Sequence, residues 1–435
     1  MTVSSLPTGM PTDWAAYCDA ARAKIQETFE SSGDATRALA EQSALADAVV
    51  THLFAQYVTA PSEAARKLCL VAVGGYGRLT LFPHSDLDLL FLFDNVKTET
   101  AVKAGIAEMA RLLWDARFRV STAARTLEEC AAVREDNVEF HISLLDRRLL
   151  AGNKQLYEKF DHEVVPATMR RARSMVVAHL SQLARQRYEK YGHTIFHLEP
   201  NTKEAPGGLR DYHLACWLQQ LGDGTRPVHE AREPEMHERC APAVAFLSAV
   251  RCFQHYRTGR DDNVLTYELQ DEAAQRGVGC RSEKTAPEAW MRIYFRHART
   301  IHRSAVRLLE RAGGGRETLR RRMAQWAARR RGAEFYVADG RTQVKEGGTI
   351  RGKEGVLRLL GFLARTGAPP SLETEGAAHA ALEGQAAAWD APGLLPAFAT
   401  ASRSTSRGIP SCSRRMSSPS TAWDPVNGMV RLRWT

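Results

Sequence analysis

Apolar positions recur with a helical period at the start of the chain. Over residues 13–60, Ala38, Leu45, Val49, Leu53 and Tyr57 return on one helix face, and Pro61 ends the pattern. Residues 68–73 are instead a short apolar run, the mark of a buried strand, which Gly74-Gly75-Tyr76-Gly77 breaks. Residues 78–82 leave room for one helical turn before Pro83. Residues 86–94 then alternate. Asp86, Asp88, Leu90 and Leu92 share one face of a second strand, and Leu87, Leu89, Phe91 and Phe93 share the other. A helix over 101–116 turns Ile106, Met109, Leu112 and Leu113 inward, and 117–122 offers a third strand. From about 127 to 312 the chain reads as mostly helical, with 3.6-period stretches at 170–191, 209–221, 241–258 and 287–311. Residues 333–350 suit a small hairpin around Asp339-Gly340, and 353–366 return to helix. That last helix is expected to lack a packing partner and so to expose Leu357, Leu359, Leu360 and Phe362.

The order of elements predicts an α+β fold: a short mixed sheet with helices, followed by a mainly helical domain. The boundaries fall at 1–65 for an N-terminal helical region, 66–150 for the sheet domain and 151–330 for the helical domain. Residues 331–400 form a partial hairpin and helix region. Residues 401–420 hold eight Ser and four Arg and no acid. That composition cannot bury enough apolar surface to offset its ordering entropy, so 401–435 is expected to be disordered.

Charge and composition narrow the function only a little. The 435 residues carry a formal net charge of +9, with no single basic stripe, which permits an anionic partner but gives no reason to expect DNA. No run of 18 apolar residues suggests a membrane span, and the first residues lack a basic stretch followed by an apolar core. Eight cysteines without a C-x-x-C pair suit a reducing, cytoplasmic setting.

The chemistry lies in residues 71–90. Asp86 and Asp88, two apart on a strand, project their carboxylates from one face and repel each other. A hard divalent cation such as Mg²⁺ relieves that repulsion. Upstream, Gly74, Gly75 and Gly77 let backbone N–H groups approach phosphate oxygens. Ser85 adds a hydroxyl donor, and Arg78 a guanidinium able to pair with phosphate. A lone Asp-x-Asp is usually a solvated strand end. The ordered series of strand, glycine turn and Ser-Asp-x-Asp opening an apolar strand is far more specific. It points to nucleotidyl transfer at a metal-plus-triphosphate site.

This stretch resembles the nucleotidyltransferase motif of the bacterial PII uridylyltransferase/uridylyl-removing enzymes. Two more stretches are similar to that family: His197-Leu-Glu-Pro-Asn-Thr-Lys-Glu-Ala-Pro-Gly-Gly-Leu-Arg-Asp, and Arg257-Thr-Gly-Arg-Asp-Asp-Asn-Val-Leu-Thr-Tyr-Glu-Leu-Gln-Asp-Glu-Ala-Ala. Trp290-Met-Arg-Ile-Tyr-Phe-Arg-His-Ala adds to the likeness, which spans roughly residues 20–365. The resemblance implies a polymerase-β-like nucleotidyltransferase fold, Mg²⁺, UTP, and a PII-type signal protein whose tyrosine receives UMP. By position, Asp86 and Asp88 match the metal-binding and catalytic aspartates. Gly74, Gly75 and Ser85 match the phosphate-holding turn, and Arg78 the arginine after it. Thr80 stands where the family usually carries Glu. The third carboxylate common in this superfamily is not on 117–122; Asp136, Glu139 and Asp146 remain candidates.

In the 199–211 loop, Lys203 and Arg210 could reach the nucleotide across a cleft. Equally, Glu204, Arg210 and Asp211 could form internal salt bridges that hold the loop to the helical domain. His193, His197, His213 and His229 are expected to be packed or solvated. The chain has no His-Asp dipeptide, so the family's hydrolase and glutamine-sensing domains are expected to be absent, and the segment after 400 reads as a frameshift or premature end. The alternative to an enzyme is a non-catalytic, truncated nucleotidyltransferase-like regulator that binds nucleotide or PII protein.

Overall fold

Asp13 and Asp34 each accept a backbone N–H at 3.0 Å, from Ala16 and Arg37, and so start two helices. These are α1 (Trp14–Ser32) and α2 (Ala35–Leu53), which pack together. The computed structural model describes residues 13–60, 66–223, 234–280, 286–313, 334–338, 341–345, 348–368, 370–382, 420–424 and 429–433.

After α2 the chain enters the sheet. Strand β1 (Leu68–Ala72) leads into the one-turn helix α3 (Gly74–Gly77). Strand β2 (Leu87–Phe93) pairs antiparallel with β1, Val71 opposite Leu90. Helix α4 (Val96–Asp115) then crosses to β3 (Val120–Thr126), which runs parallel to β2 with Ser121 opposite Asp88. Short helices α5 (Leu127–Ala131) and α6 (Val138–Ser143) come next. Strand β4 (Arg148–Gly152) closes the sheet beside β1, in the order β3-β2-β1-β4.

The alternation read along 86–94 is what builds two cores. Leu87, Leu89, Phe91 and Phe93 join Leu68, Leu70 and Ala72 in one buried cluster with α1, α2 and α4. Leu90 and Leu92 join Cys69, Val71 and Val73 in a second cluster. The helical segment supplies cover to both. It comprises α7 (Lys154–Lys159), α8 (Val165–Lys190), α9 (Leu209–Asp223), α10 (Pro234–Thr258), α11 (Tyr267–Arg276) and α12 (Pro287–Gly313). Phe246, Leu247, Val250 and Trp290 enter the first core; Val176, Leu180, Leu214 and Leu218 enter the second. Because both faces of the sheet are covered this way, residues 1–316 form one compact unit.

Several elements differ from the sequence reading. Helix α4 starts at Val96, where Asn95 caps it by accepting the Thr98 N–H at 3.2 Å. Strand β3 starts later than 117 because Arg117 has φ of 60° and turns the chain. Strand β4 was not predicted: its residues are only half-buried and carry no alternation.

The second unit spans 317–435. It contains the hairpin β5 (Phe335–Ala338) and β6 (Arg341–Val344), as expected, although its turn residues 339–340 lie outside the described residues. Helices α13 (Gly352–Thr366) and α14 (Leu372–Leu382) follow. The expectation that α13 lies bare is corrected. Leu359 is buried with Phe335, Ile350 and Val356, and Phe362 stacks on Phe335 at 5.7 Å; Leu360 is exposed. Within the tail expected to be disordered, β7 (Ser420–Asp424) and β8 (Met429–Arg433) pair antiparallel, and 401–419 lie outside the described residues. The Ser/Arg composition had masked that local strand pattern.

Candidate active site

The glycine turn and the aspartate strand meet at the end of β1. Val73 N–H donates to the Asp88 carbonyl at 3.1 Å, so the turn begins beside that carboxylate. Gly74 has φ of +59°, and a Cβ there would stand 2.8 Å from Asp88 Oδ2. Only glycine meets both conditions. Gly77 is needed for a different reason: a Cβ would land 1.6 Å from the Asp146 carbonyl, so the turn lies directly against the backbone after α6.

Asp88 is half-buried on β2, while Asp86 lies exposed just before the strand. Burial first, and the Asp86 charge second, push the Asp88 carboxyl up to about 6. Asp86 is held by the Arg119 guanidinium at 2.7 Å, and Arg119 also donates to the His84 carbonyl. Two carboxylates so placed fit a Mg²⁺ ion, which often takes only one or two protein carboxylates and completes its shell with water and phosphate oxygens. Among the described residues no third His, Cys, Asp or Glu completes a closed metal site.

The three candidates for a third carboxylate are all placed. Asp136 and Glu139 are exposed; Asp136 pairs with Arg134 at 3.2 Å and Glu139 lies 3.6 Å from His179. Asp146 is fully buried and accepts the Trp217 indole N–H at 2.8 Å. Its second partner is Arg78, whose guanidinium is buried in an ion pair with Asp146, lies over the Trp217 ring and also acts by its charge on Asp88. The physical reason is that a fully buried carboxylate needs a cation. Arg78 follows the glycine turn, so the pair fastens that turn to α9. Ser85 sits at the rim of a cleft of about 230 Å³ lined also by Arg22, Phe82, His84, Arg119 and Arg260. Thr80 donates its hydroxyl to the Gly75 carbonyl at 3.3 Å, closing the turn.

The 199–211 loop makes the internal contacts that the sequence allowed, and it brings Lys203 toward the aspartate strand. Asp211, fully buried, accepts from Gly207 N–H at 2.9 Å, Arg187 at 2.9 Å, Tyr188 hydroxyl at 3.1 Å and His302 at 3.1 Å, and so pins the loop to α8 and α12. Arg210 pairs with Glu204 at 3.1 Å. Lys203 lies 3.6 Å from Asp261, yet its positive charge also acts on Asp88, which brings the loop to the aspartate strand. Burial lowers the Lys203 ammonium, and the positive charges of Arg251 and Arg210 lower it further.

Arg251 and Asp261, which the sequence does not single out, join this cluster, and His213, expected to be packed or solvated, is packed beside it. Arg251 on α10 is buried, stacks 4.0 Å over the Phe82 ring and donates to Asp261 at 3.0 Å and Asn263 at 2.6 Å. Asp261 also meets His255 at 3.0 Å. Burial works to raise the Asp261 carboxyl, but His255, Lys203, Asn263 and Arg251 together hold it well below the usual carboxylate range. His213 on α9 is held neutral: burial pushes it well down, and Arg78, Arg210, Arg251 and Lys203 all add to that. Asp261 lay inside the quoted 257–274 stretch, which was the one available signal. Arg251 and His213 carry none, because their meeting depends on helix packing. His197 contacts the Thr194 carbonyl at 3.0 Å, a local structural role, and His229 lies outside the described residues.

Residues 176–309 match the family model described as GlnD PII-uridylyltransferase. The chain is 39% identical over 272 residues to the bifunctional uridylyltransferase/uridylyl-removing enzyme of Caulobacter vibrioides, covering 60% of this chain and 28% of that protein. With the enzyme of the same name from Cereibacter sphaeroides it is 34% identical over 293 residues, 64% of this chain and 31% of the relative. With that of Aromatoleum aromaticum it is 31% identical over 330 residues, 70% of this chain and 36% of the relative. The chain thus spans about a third of the length of these relatives. Among the described residues no helix is long and apolar enough to cross a membrane. Residues 176–309 are thus similar to the GlnD PII-uridylyltransferase domain, and over 60–70% of its length the chain resembles the bacterial bifunctional uridylyltransferase/uridylyl-removing enzymes.

Proposed function

We propose that this chain transfers UMP from UTP to a tyrosine of a PII-type signal protein, with Mg²⁺, releasing pyrophosphate, and that residues 66–150 act as a polymerase-β-like nucleotidyltransferase domain. The observation that carries the reading is the opposition of Asp86 and Asp88 to a wall of cations. Lys203 acts on Asp88, and Arg210 and Arg251 act on Lys203; carboxylates adjoining such a cationic cluster suit a polyphosphate bridged to a divalent ion. Mg²⁺ held by Asp86 and Asp88 would neutralise phosphate charge and lower the pKa of the attacking hydroxyl.

The chain's own residues do the rest. Gly74 and Gly75 open a first helical turn whose N–H groups lack intrahelical acceptors and are available to phosphate oxygens. Lys203, Arg210 and Arg251 already sit in fixed geometry through Asp261, Glu204 and Asn263, so they meet the developing charge without rearrangement. Arg78, engaged with Asp146, holds the turn in place, and its charge also acts on Asp88. His213, neutral among four cations, gains a negative neighbour when a triphosphate arrives.

The test is incubation of the chain with Mg²⁺, labelled UTP and a PII protein. Label on the PII tyrosine, lost in an Asp86→Asn/Asp88→Asn variant, is the expected result. A folded chain that gives no label on an acceptor competent with a full-length enzyme overturns the proposal.

A further inference from the structure

Ten large apolar or aromatic residues are exposed among the described residues, and four of them fall in two short segments that lie side by side. Phe196 is 49% exposed and Leu198 76%; Val264 is 39% and Tyr267 51%. The two segments are tied into a ladder. Asn201 bridges to Val264, Thr202 N–H donates to the Asn263 carbonyl at 2.8 Å, and Leu265 N–H to the Pro200 carbonyl at 3.0 Å. Tyr267 N–H reaches Glu199 Oε1 at 3.1 Å, and Gln270 donates to the Leu198 carbonyl at 2.7 Å. Phe196 rests on Phe295 at 5.3 Å, with Arg299 over its ring. The apolar side chains are thus displayed on a fixed ledge.

The same ladder leads into the site. One segment continues into Lys203, and the other begins after Asp261; these two residues pair at 3.6 Å, and the Lys203 charge acts on Asp88. We infer that this ledge is the docking surface for the protein that receives the nucleotidyl group, gripping an apolar patch next to the acceptor hydroxyl. This inference rests on the proposed transfer to a protein. Its size favours a passing substrate over a permanent partner. At roughly 150–250 Å² per large side chain, the exposed fractions leave on the order of 400 Å² open, the size of the largest apolar patch on a typical monomer, which is often functional. A stable dimer needs about 800 Å² per partner, so the ledge falls short of holding a second copy by itself. A small-molecule acceptor would have no use for an apolar surface outside the cation wall.

The experiment uses the full chain and a Phe196→Ala/Leu198→Ala/Tyr267→Ala variant, whose melting temperature and circular dichroism are compared with the parent. All three side chains are exposed, so the fold is expected to persist. Three readouts follow: affinity for a PII protein by biolayer interferometry in EDTA, affinity for a fluorescent UTP analogue with Mg²⁺, and mass by light scattering. The expected result is at least a tenfold loss of PII affinity, with UTP-analogue affinity unchanged within twofold. Unchanged PII affinity overturns the docking surface, and so does a parent chain with no PII affinity at tens of micromolar. A parent dimer that the variant converts to monomer, with PII affinity intact, assigns the ledge to a second copy and overturns it too. If the parent binds PII through the ledge yet transfers no UMP, docking stands and the proposed activity fails.

Discussion

Asp88 is held against its own charge, and the consequence can be measured without any substrate. Its carboxyl is pushed from the ordinary 3.8 to about 6, by burial and then by Asp86. The native state therefore keeps a proton on Asp88 that the unfolded chain has already lost between those two values. Stability must fall as pH rises through this window, because the native state binds more protons than the unfolded one. The full penalty, about 3 kcal/mol at roughly 1.4 kcal/mol per pH unit, is in force above pH 6 and absent below pH 4. Replacing Asp88 by Asn removes the titration while keeping the shape. In EDTA at pH 8 the Asp88→Asn chain is expected to melt several degrees above the parent, since 1 kcal/mol is worth about 2–4 °C in a unit of a few hundred residues. At pH 4 the two should melt together. Adding Mg²⁺ at pH 8 should raise the parent and leave the variant unmoved, because only the parent offers two carboxylates. Scanning calorimetry or fluorimetry across pH 4–8 reads this directly. A variant that melts below the parent at pH 8 in EDTA, or a gain that is the same at both pH values, refutes the claim that this strand end is electrostatically unbalanced. A site that is costly empty and relieved by a cation is the physical content of calling Asp86 and Asp88 a metal site.

Four further outcomes follow from the same geometry. Arg119→Gln frees Asp86 from an exposed ion pair worth at most about 1 kcal/mol; Mn²⁺ affinity measured by electron paramagnetic resonance should rise by no more than about fivefold, and a fall would show that Arg119 does not compete with the cation. Gly74→Ala puts a methyl on a residue with φ of +59° and 2.8 Å from Asp88 Oδ2; a loss of about 1–3 kcal/mol in denaturant unfolding and loss of UTP-analogue binding are expected, and a neutral result would mean the turn adopts another conformation. Asp211→Ala strips the acceptor from Gly207, Arg187, Tyr188 and His302 at once; a cost of about 3 kcal/mol or more and faster hydrogen exchange over 199–208 should appear together. Asp146→Asn leaves Arg78 buried without a counter-charge; denaturant unfolding should show a comparable loss while Mg²⁺ affinity changes little, and a large loss of Mg²⁺ affinity would place Asp146 among the metal ligands after all.

The sheet was legible because its information is local. Alternation along 86–94 separates two faces, and those same residues divide between the two cores. The glycines were legible because positive φ and close approach leave few other residue types available; Gly74 and Gly77 each meet a contact that a Cβ could not survive. The Asp146 partner of Arg78 was not legible, because a guanidinium beside a phosphate-type turn looks the same in sequence whether or not a buried carboxylate sixty-eight residues away also engages it. Strand β4 was missed since an edge strand with half-buried residues has no period to detect. The Ser/Arg average over 401–420 hid the strand pattern that begins at Ser420.

The cation wall shows why the two halves of residues 1–316 cannot be understood separately. The aspartates belong to β2 and the turn before it, whereas Lys203, Arg210 and Arg251 come from the loop before α9, from α9 itself and from α10. What brings them together is packing: Phe82 lies under Arg251, Trp217 reaches Asp146, and Leu209, Phe246 and Leu247 share a core with Leu87 and Leu89. Each cation is lowered or held by its neighbours, so none is a free surface charge, and the group resists collapse onto the aspartates because Asp261 and Glu204 already hold it. On the proposed reading, described residues beyond 150 supply half of the site, and a fragment ending near residue 150 should lose both its core cover and any affinity for triphosphate. Expressing residues 1–150 alone tests this. A soluble fragment that still binds the UTP analogue as tightly as the whole chain would show that the wall is dispensable, and with it the main physical support for a triphosphate site.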